Sequence, residues 1–212
     1  MYWIHRIGRG VDNTYAIHFD ALWHLLTDKN CLTIGWQCFV DDAAVVNAVT
    51  AHNPAQVEIE LKARGIHSSE RVALKNFSQF NAGDIVVVLP IPEYEKNFLV
   101  VELKSPAQSI LNVPPVKQTS FTVNTLEPSG RTIAFDSHDG FVYVADNSPV
   151  DAGFFCEVDI IQSVPRANMS PLLKILCDNV LGTNAPVSNV VNRQHIYDTL
   201  IPIGHKTRIT RP

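Results

Sequence analysis

The chain has 212 residues, enough for one large domain or two small ones with a real core. Hydrophobic residues make up 46% and charged residues only 18%, which excludes an intrinsically disordered chain. A net charge of -4 weighs against a protein that wraps duplex nucleic acid electrostatically, although a local basic patch is compatible with it. No apolar run approaches the roughly 18 residues of a membrane helix, and the first residues lack the apolar stretch of a signal peptide. Four cysteines, Cys31, Cys38, Cys156 and Cys177, form no C-x-x-C pair. Reduced, mostly buried thiols and a cytoplasmic protein are the expectation, with no cofactor, no metal site and no membrane partner.

Residues 2–7 alternate as a first strand and end at Gly8-Arg9-Gly10. Leu22, Leu25 and Leu26 have helical spacing over residues 20–30, with Asp20 in the position of an N-cap. A short strand follows over 32–36. Asp42 opens a helix to Thr50, Pro54 starts another towards Arg64 before Gly65, and Ser68 or Ser69 caps a third carrying Val72, Leu74, Phe77 and Phe80. Gly83-Asp84 then reads as a turn into the β-branched run Ile85-Val86-Val87-Val88-Leu89, a strand buried on both faces. Residues 98–103 return as its antiparallel hairpin partner. Residues 105–130 have loop composition with one strand near 121–123. Asp139-Gly140 turns a second hairpin between 133–135 and 141–145. Residues 154–164 form a last long strand, Ser170-Pro171 starts a helix to about Leu181, and residues 205–212 are a basic tail with Lys206, Arg208 and Arg211. Helices early and strands late, without internal repeats, predict an α+β fold with a central, mostly antiparallel or barrel-like sheet.

Ile34-Gly35-Trp36 is the most informative local motif, because a large flat side chain follows a glycine whose backbone admits close approach. Trp36 reads either as core or as an aromatic wall on which a planar ligand stacks, an interaction worth about 1–3 kcal/mol per base. Trp3 reads chiefly as core and secondarily as a pocket residue. His5, Arg6 and Arg9 make the densest basic cluster, either a solvated strand end or a phosphate contact. A rival enzyme reading rests on Glu102 and Lys104, spaced as in the E-x-K strand of PD-(D/E)xK nucleases, with Asp84 as the upstream metal ligand. No Pro-Asp precedes Glu102 at short range, and Pro106, Pro114 and Pro115 interrupt any following helix. Asp136, His138 and Asp139 fit a tight turn better than a metal site. Gly8-Arg9-Gly10 lacks the third glycine of a dinucleotide loop, and no nucleophile elbow is present.

The segment Tyr2-Trp3-Ile4-His5, a helix, Ile34-Gly35-Trp36, Gly83-Asp84-Ile85-Val86-Val87 and the late strand ending Val164-Pro165 resemble the PUA-like superfamily, in particular its EVE and YTH-type branches. The resemblance covers roughly residues 2–104 and 154–192. It implies a mostly antiparallel barrel flanked by helices, as a single domain over residues 1–204 with an insertion near 112–150. It also implies a pocket for a nucleobase, modified or not, of DNA or RNA, in a module of the kind found in restriction or defence. By the same resemblance Trp36 is the cage tryptophan, residues 8–13 with Asn13 form a backbone wall, and Arg6 or Arg9 meets phosphate. The inserted segment has no tryptophan, so Phe141 or Tyr143 would have to supply a second aromatic wall. A protein-interaction module that kept the barrel and lost the pocket is the third reading.

Overall fold

The computed structural model describes residues 1–7, 16–90, 96–124, 130–171, 173–175 and 187–189. The strands are β1 (Tyr2–Arg6), β2 (Cys31–Ile34), β3 (Ile85–Leu89), β4 (Asn97–Leu103), β5 (Gln108–Ser109), β6 (Phe121–Val123), β7 (Arg131–Asp136), β8 (Gly140–Tyr143), β9 (Phe154–Pro165) and β10 (Val187–Asn189). The helices are α1 (Ala16–Thr27), α2 (Ala43–Thr50), α3 (Pro54–Ala63) and α4 (Ser68–Phe77). Seven strands form one curled sheet in the order β10-β1-β3-β4-β9-β2, with β5 also paired to β9. All its neighbours are antiparallel except β1 and β3. The molecule is therefore a mixed α+β fold whose sheet curls into a half-barrel beside helices.

The expected hairpin is present as β3 and β4, in register from Ile85 opposite Glu102 to Val88 opposite Leu99. All five residues of β3 are buried. Val86 and Val88 face one apolar cluster with Trp3, Phe77, Phe80 and Leu103, while Ile85, Val87 and Leu89 face another with Ile4, Phe98 and Val164. Gly83 enters the strand at φ 86°, the left-handed turn geometry its missing side chain permits. Strand β9 is long enough to serve two neighbours: its first residues pair with β2 and β5, and its later residues pair with β4. A register shift opposite Val100/Val101 bends this pair, as a bulge does, and lets the sheet curl.

His5 confirms the curl in a single contact. Its Nε2 lies 2.9 Å from the Thr33 carbonyl on β2, at the other end of the run β1-β3-β4-β9-β2. The ring is buried against Phe77 and Phe80, and burial pushes its pKa down to about 4. A neutral imidazole must donate from Nε2 to that carbonyl, so His5 ties the two ends of the half-barrel across its interior.

Three local expectations are corrected. Strand β2 stops at Ile34, so Trp36 is not on a strand. Helix α1 starts before Asp20, which is buried inside the helix and does not cap it. His67, not a serine, caps α4, its ring nitrogen accepting from the Ser69 amide. The strands expected near 121–123, 133–135 and 141–145 pair as a three-stranded sheet, β6-β7-β8. In its hairpin, Asp136 Oδ1 accepts from the amides of His138 and Asp139, an Asx turn, and Gly140 takes φ 76°. Asp42 and Pro54 start their helices as expected, with Asp42 accepting from the amides of Ala44 and Val45. Among the described residues no helix is long and apolar enough to cross a membrane.

Candidate functional site

The most unusual backbone in the described residues surrounds Trp36. Strand β2 ends at Ile34, Gly35 follows, and Trp36 adopts φ 72° and ψ 28° before the short 3-10 turn Gln37–Phe39. A bulky side chain in left-handed geometry is a real outlier, costing on the order of 1–3 kcal/mol, and it persists only where surrounding structure enforces it. The enforcing structure is the loop that leads into β9. Gly153 donates its amide to the carbonyls of Ile34 and Gly35, each at 3.0 Å. A Cβ on Gly153 would sit 2.4 Å from the Trp36 carbonyl oxygen. The two chain segments thus pack backbone on backbone, which only glycine allows.

Gly35 leaves room for an acidic side chain. A Cβ there would lie 2.5 Å from Asp151 Oδ2. The Asp151 carboxylate therefore occupies the space a side chain would fill, and its Oδ1 accepts a long hydrogen bond of 3.3 Å from the Gln37 amide. On the other side, the Trp36 indole stacks on Phe39, with ring centroids 5.8 Å apart and planes 25° apart. Trp36 is half-buried, so part of its surface remains available.

The three-stranded sheet completes this neighbourhood. The Gln37 side-chain amide donates to the Asp139 carbonyl at 3.3 Å, joining the 3-10 turn to the hairpin. Tyr143, buried on β8, lies 3.2 Å through its hydroxyl from His18 Nδ1 on α1. The Arg131 guanidinium lies over the Tyr143 ring, 4.8 Å from its centre. Burial holds the His18 pKa below the usual imidazole range, with the Asp151 charge acting against it and the Arg131 charge adding to it. Burial also raises the Tyr143 phenol, so both groups are neutral near pH 7. The contact between His18 Nδ1 and the Tyr143 hydroxyl thus joins two neutral groups, each able to donate or accept.

The expected site residues fall in different places. Trp3 is fully buried at 0% exposure; its indole nitrogen donates to Asp84 Oδ2 at 2.9 Å and its ring packs on Phe80. That burial places it in the core and not on a pocket wall. Arg6 is buried as well, and the strand pleat sends it to the face of Ile4, away from Trp3 and His5. Arg9 and Asn13, with the rest of the wall over residues 8–13, lie outside the described residues, as does the basic tail over 205–212. Phe141 is buried against Phe121 and Phe135. Tyr143 meets His18 on α1, a histidine the sequence did not single out. Asp151 and His18 were legible only as ordinary loop and helix residues.

The nuclease constellation is not assembled. Asp84 accepts from the Trp3 indole, the Asn81 amide and the N-terminal ammonium, on the inner face of the sheet. Glu102 alternates with Val101 and Leu103, which face inwards, so it stands on the opposite face. Lys104 pairs there with Asp159 at 2.9 Å and with Glu102 at 3.6 Å. Among the described residues no cluster of three His, Cys, Asp or Glu side chains is placed to hold a metal ion.

No family model, no characterised protein and no solved structure matches this chain at a significant level.

Proposed function

We propose that this chain is a nucleic-acid-binding module of the PUA-like, EVE/YTH type, in which Trp36 stacks a nucleobase, modified or unmodified, of DNA or RNA. The observation that carries the reading is the left-handed, half-buried Trp36, whose carbonyl packs against Gly153 at a distance that admits no side chain there. Strain of this kind concentrates at ligand clamps, and a partly open indole suits a planar ligand. Residues 8–13 supply backbone hydrogen bonds to the base, with Asn13 among them, and Arg9 meets phosphate. Trp3 and Arg6 serve as buried scaffold. The placement in restriction or defence comes from the resemblance alone and is analogy.

Fluorescence anisotropy with modified and unmodified DNA and RNA oligonucleotides tests the reading. Wild type should bind at least one of them, and Trp36→Ala should weaken that binding by about tenfold or more, the worth of one stacked base. Equal binding by both proteins, or none by wild type, overturns it. The Trp36–Phe39 stack favours a second reading, a protein-interaction module whose aromatic pair is spent on internal packing. Absence of all oligonucleotide binding by wild type would leave that reading standing.

A further inference from the structure

We infer that His5 is a positioning residue for Trp36: through the Thr33 carbonyl it fixes the end of β2, from which the strained Trp36 backbone departs. The consequence for a ligand rests on the base-binding reading above, and the positioning itself does not.

Four successive carbonyls lead into the left-handed turn, and each accepts a hydrogen bond. Thr33 accepts from His5 Nε2 at 2.9 Å, and Ile34 and Gly35 accept from the Gly153 amide at 3.0 Å each. Trp36 itself accepts from the Phe39 amide at 3.0 Å. The last three bonds use backbone amides of nearby loops. The first uses a side chain, and that side chain comes from β1. Strand β2 is the last in its sheet and pairs with β9 among the described strands. His5 therefore gives β2 a second hold, placed just before the Trp36 turn.

The chemistry of the His5 ring fits this role better than a packing role. The residue is 1% exposed, and a carbonyl can only accept, so Nε2 is the donor. The ring lies against Phe77 and Phe80, and its Nδ1 has no partner among the described residues. A buried nitrogen without a partner is a cost that leucine in the same apolar surroundings would not carry. The bond to Thr33 offsets that cost. Such a bond is of the same order as the strain of a left-handed tryptophan. Losing it lets the end of β2 shift and the Trp36 backbone relax towards ordinary geometry. A ligand that needs the strained conformer then binds in proportion to the fraction that still holds it.

Fluorine NMR on full-length protein carrying fluorotryptophan reads the indoles without any ligand, the signals being assigned with Trp3→Phe, Trp23→Phe and Trp36→Phe. His5→Leu removes the donor and should shift or split the Trp36 signal while the Trp23 signal stays in place. His5→Gln keeps a donor within reach of Thr33 and should return the Trp36 signal to its wild-type position. Thr33→Val keeps the carbonyl and removes only a buried hydroxyl that has no partner among the described residues, so it should leave that signal unmoved. In anisotropy titrations with an oligonucleotide that wild type binds, His5→Leu should lose about twofold to tenfold in affinity, and His5→Gln should recover it. If circular dichroism shows that His5→Leu does not fold, His5→Asn replaces it, its amide being too short to reach Thr33.

A Trp36 signal at the wild-type position in the folded donor-free variant overturns the proposal. So does a signal displaced as far in His5→Gln as in His5→Leu. A displaced Trp36 signal with unchanged oligonucleotide affinity overturns the consequence for binding. Absence of all binding by wild type overturns the base-binding reading, and the fluorine signals still decide whether His5 positions Trp36.

Discussion

Strand β3 of the curled sheet buries all five residues between two apolar layers, whereas β7 of the three-stranded sheet buries Ile133 and leaves Thr132 and Asp136 exposed. The fastenings differ in degree. Apolar side chains from α1 and α4 fill the half-barrel, and the His5–Thr33 contact crosses it. The small sheet joins the same core through Phe121, Val123, Ile133 and Phe141, and adds polar and ring contacts: His24 stacked on Phe121 at 4.1 Å, Lys29 over the same ring, and the Gln37 and Tyr143 hydrogen bonds. A methyl group of Ile110 also lodges where a Cβ on Gly140 would stand. The half-barrel has spent its chemistry on cohesion. The seam between the two sheets keeps partly exposed polar groups, Gln37 and His18 among them.

Core truncation should separate the two regions most strongly. Phe154→Ala, in the fully buried start of β9, should cost about 3–5 kcal/mol in denaturant unfolding. Phe135→Ala on β7, only partly buried, should cost roughly 1–2 kcal/mol. Similar losses at the two positions would erase the contrast.

Next comes the pH dependence of His5. Its folded pKa of about 4 lies below the ordinary value of 6.5, so the unfolded chain takes up a proton that the folded protein refuses. Stability should therefore fall as pH drops from 6.5 to 4, by about 3 kcal/mol, and level off below that. His18 and His24, also depressed, add a slope of the same sign. Comparison with His5→Gln, which can still donate to Thr33, isolates the His5 part: the variant's slope in that window should be distinctly shallower. An unchanged slope would mean that the tie across the half-barrel carries no proton linkage.

The smallest stability effects should come from the seam. Gly153→Ala forces a Cβ onto the Trp36 carbonyl and should cost about 1–3 kcal/mol. Trp36→Gly relieves the left-handed backbone while losing the Phe39 stack, so the two effects offset to within about 1 kcal/mol. Thermal melts of the two variants check this order. A large loss in Trp36→Gly would move Trp36 from the site into the core.

Much of the scaffold was legible residue by residue. Ile85-Val86-Val87-Val88-Leu89 after Gly83 announces a doubly buried strand, because β-branched residues without polar alternation have no solvent face to serve. Asp42 and Pro54 announce helix starts because their local chemistry satisfies, or dispenses with, free amides. The start of α1 was missed because Phe19 is buried in the helix ahead of Asp20, and burial by tertiary packing leaves no start signal in the local sequence. The Trp36 motif was noticed for the right reason, since a glycine admits close approach. What approaches is Asp151, from a loop 116 residues further along the chain.

The sequence by itself determined the β3–β4 hairpin, the long late strand, two helix starts and the room for close approach at Gly35, because each depends on residues adjacent in the chain. Only the tertiary structure decided that Trp3 is core, that Asp84 and Glu102 stand on opposite faces, that Asp151 packs against Gly35, and that His18 meets Tyr143. Those outcomes depend on which strands pair and how far the sheet curls, and no local pattern encodes the distance between segments that meet only on folding.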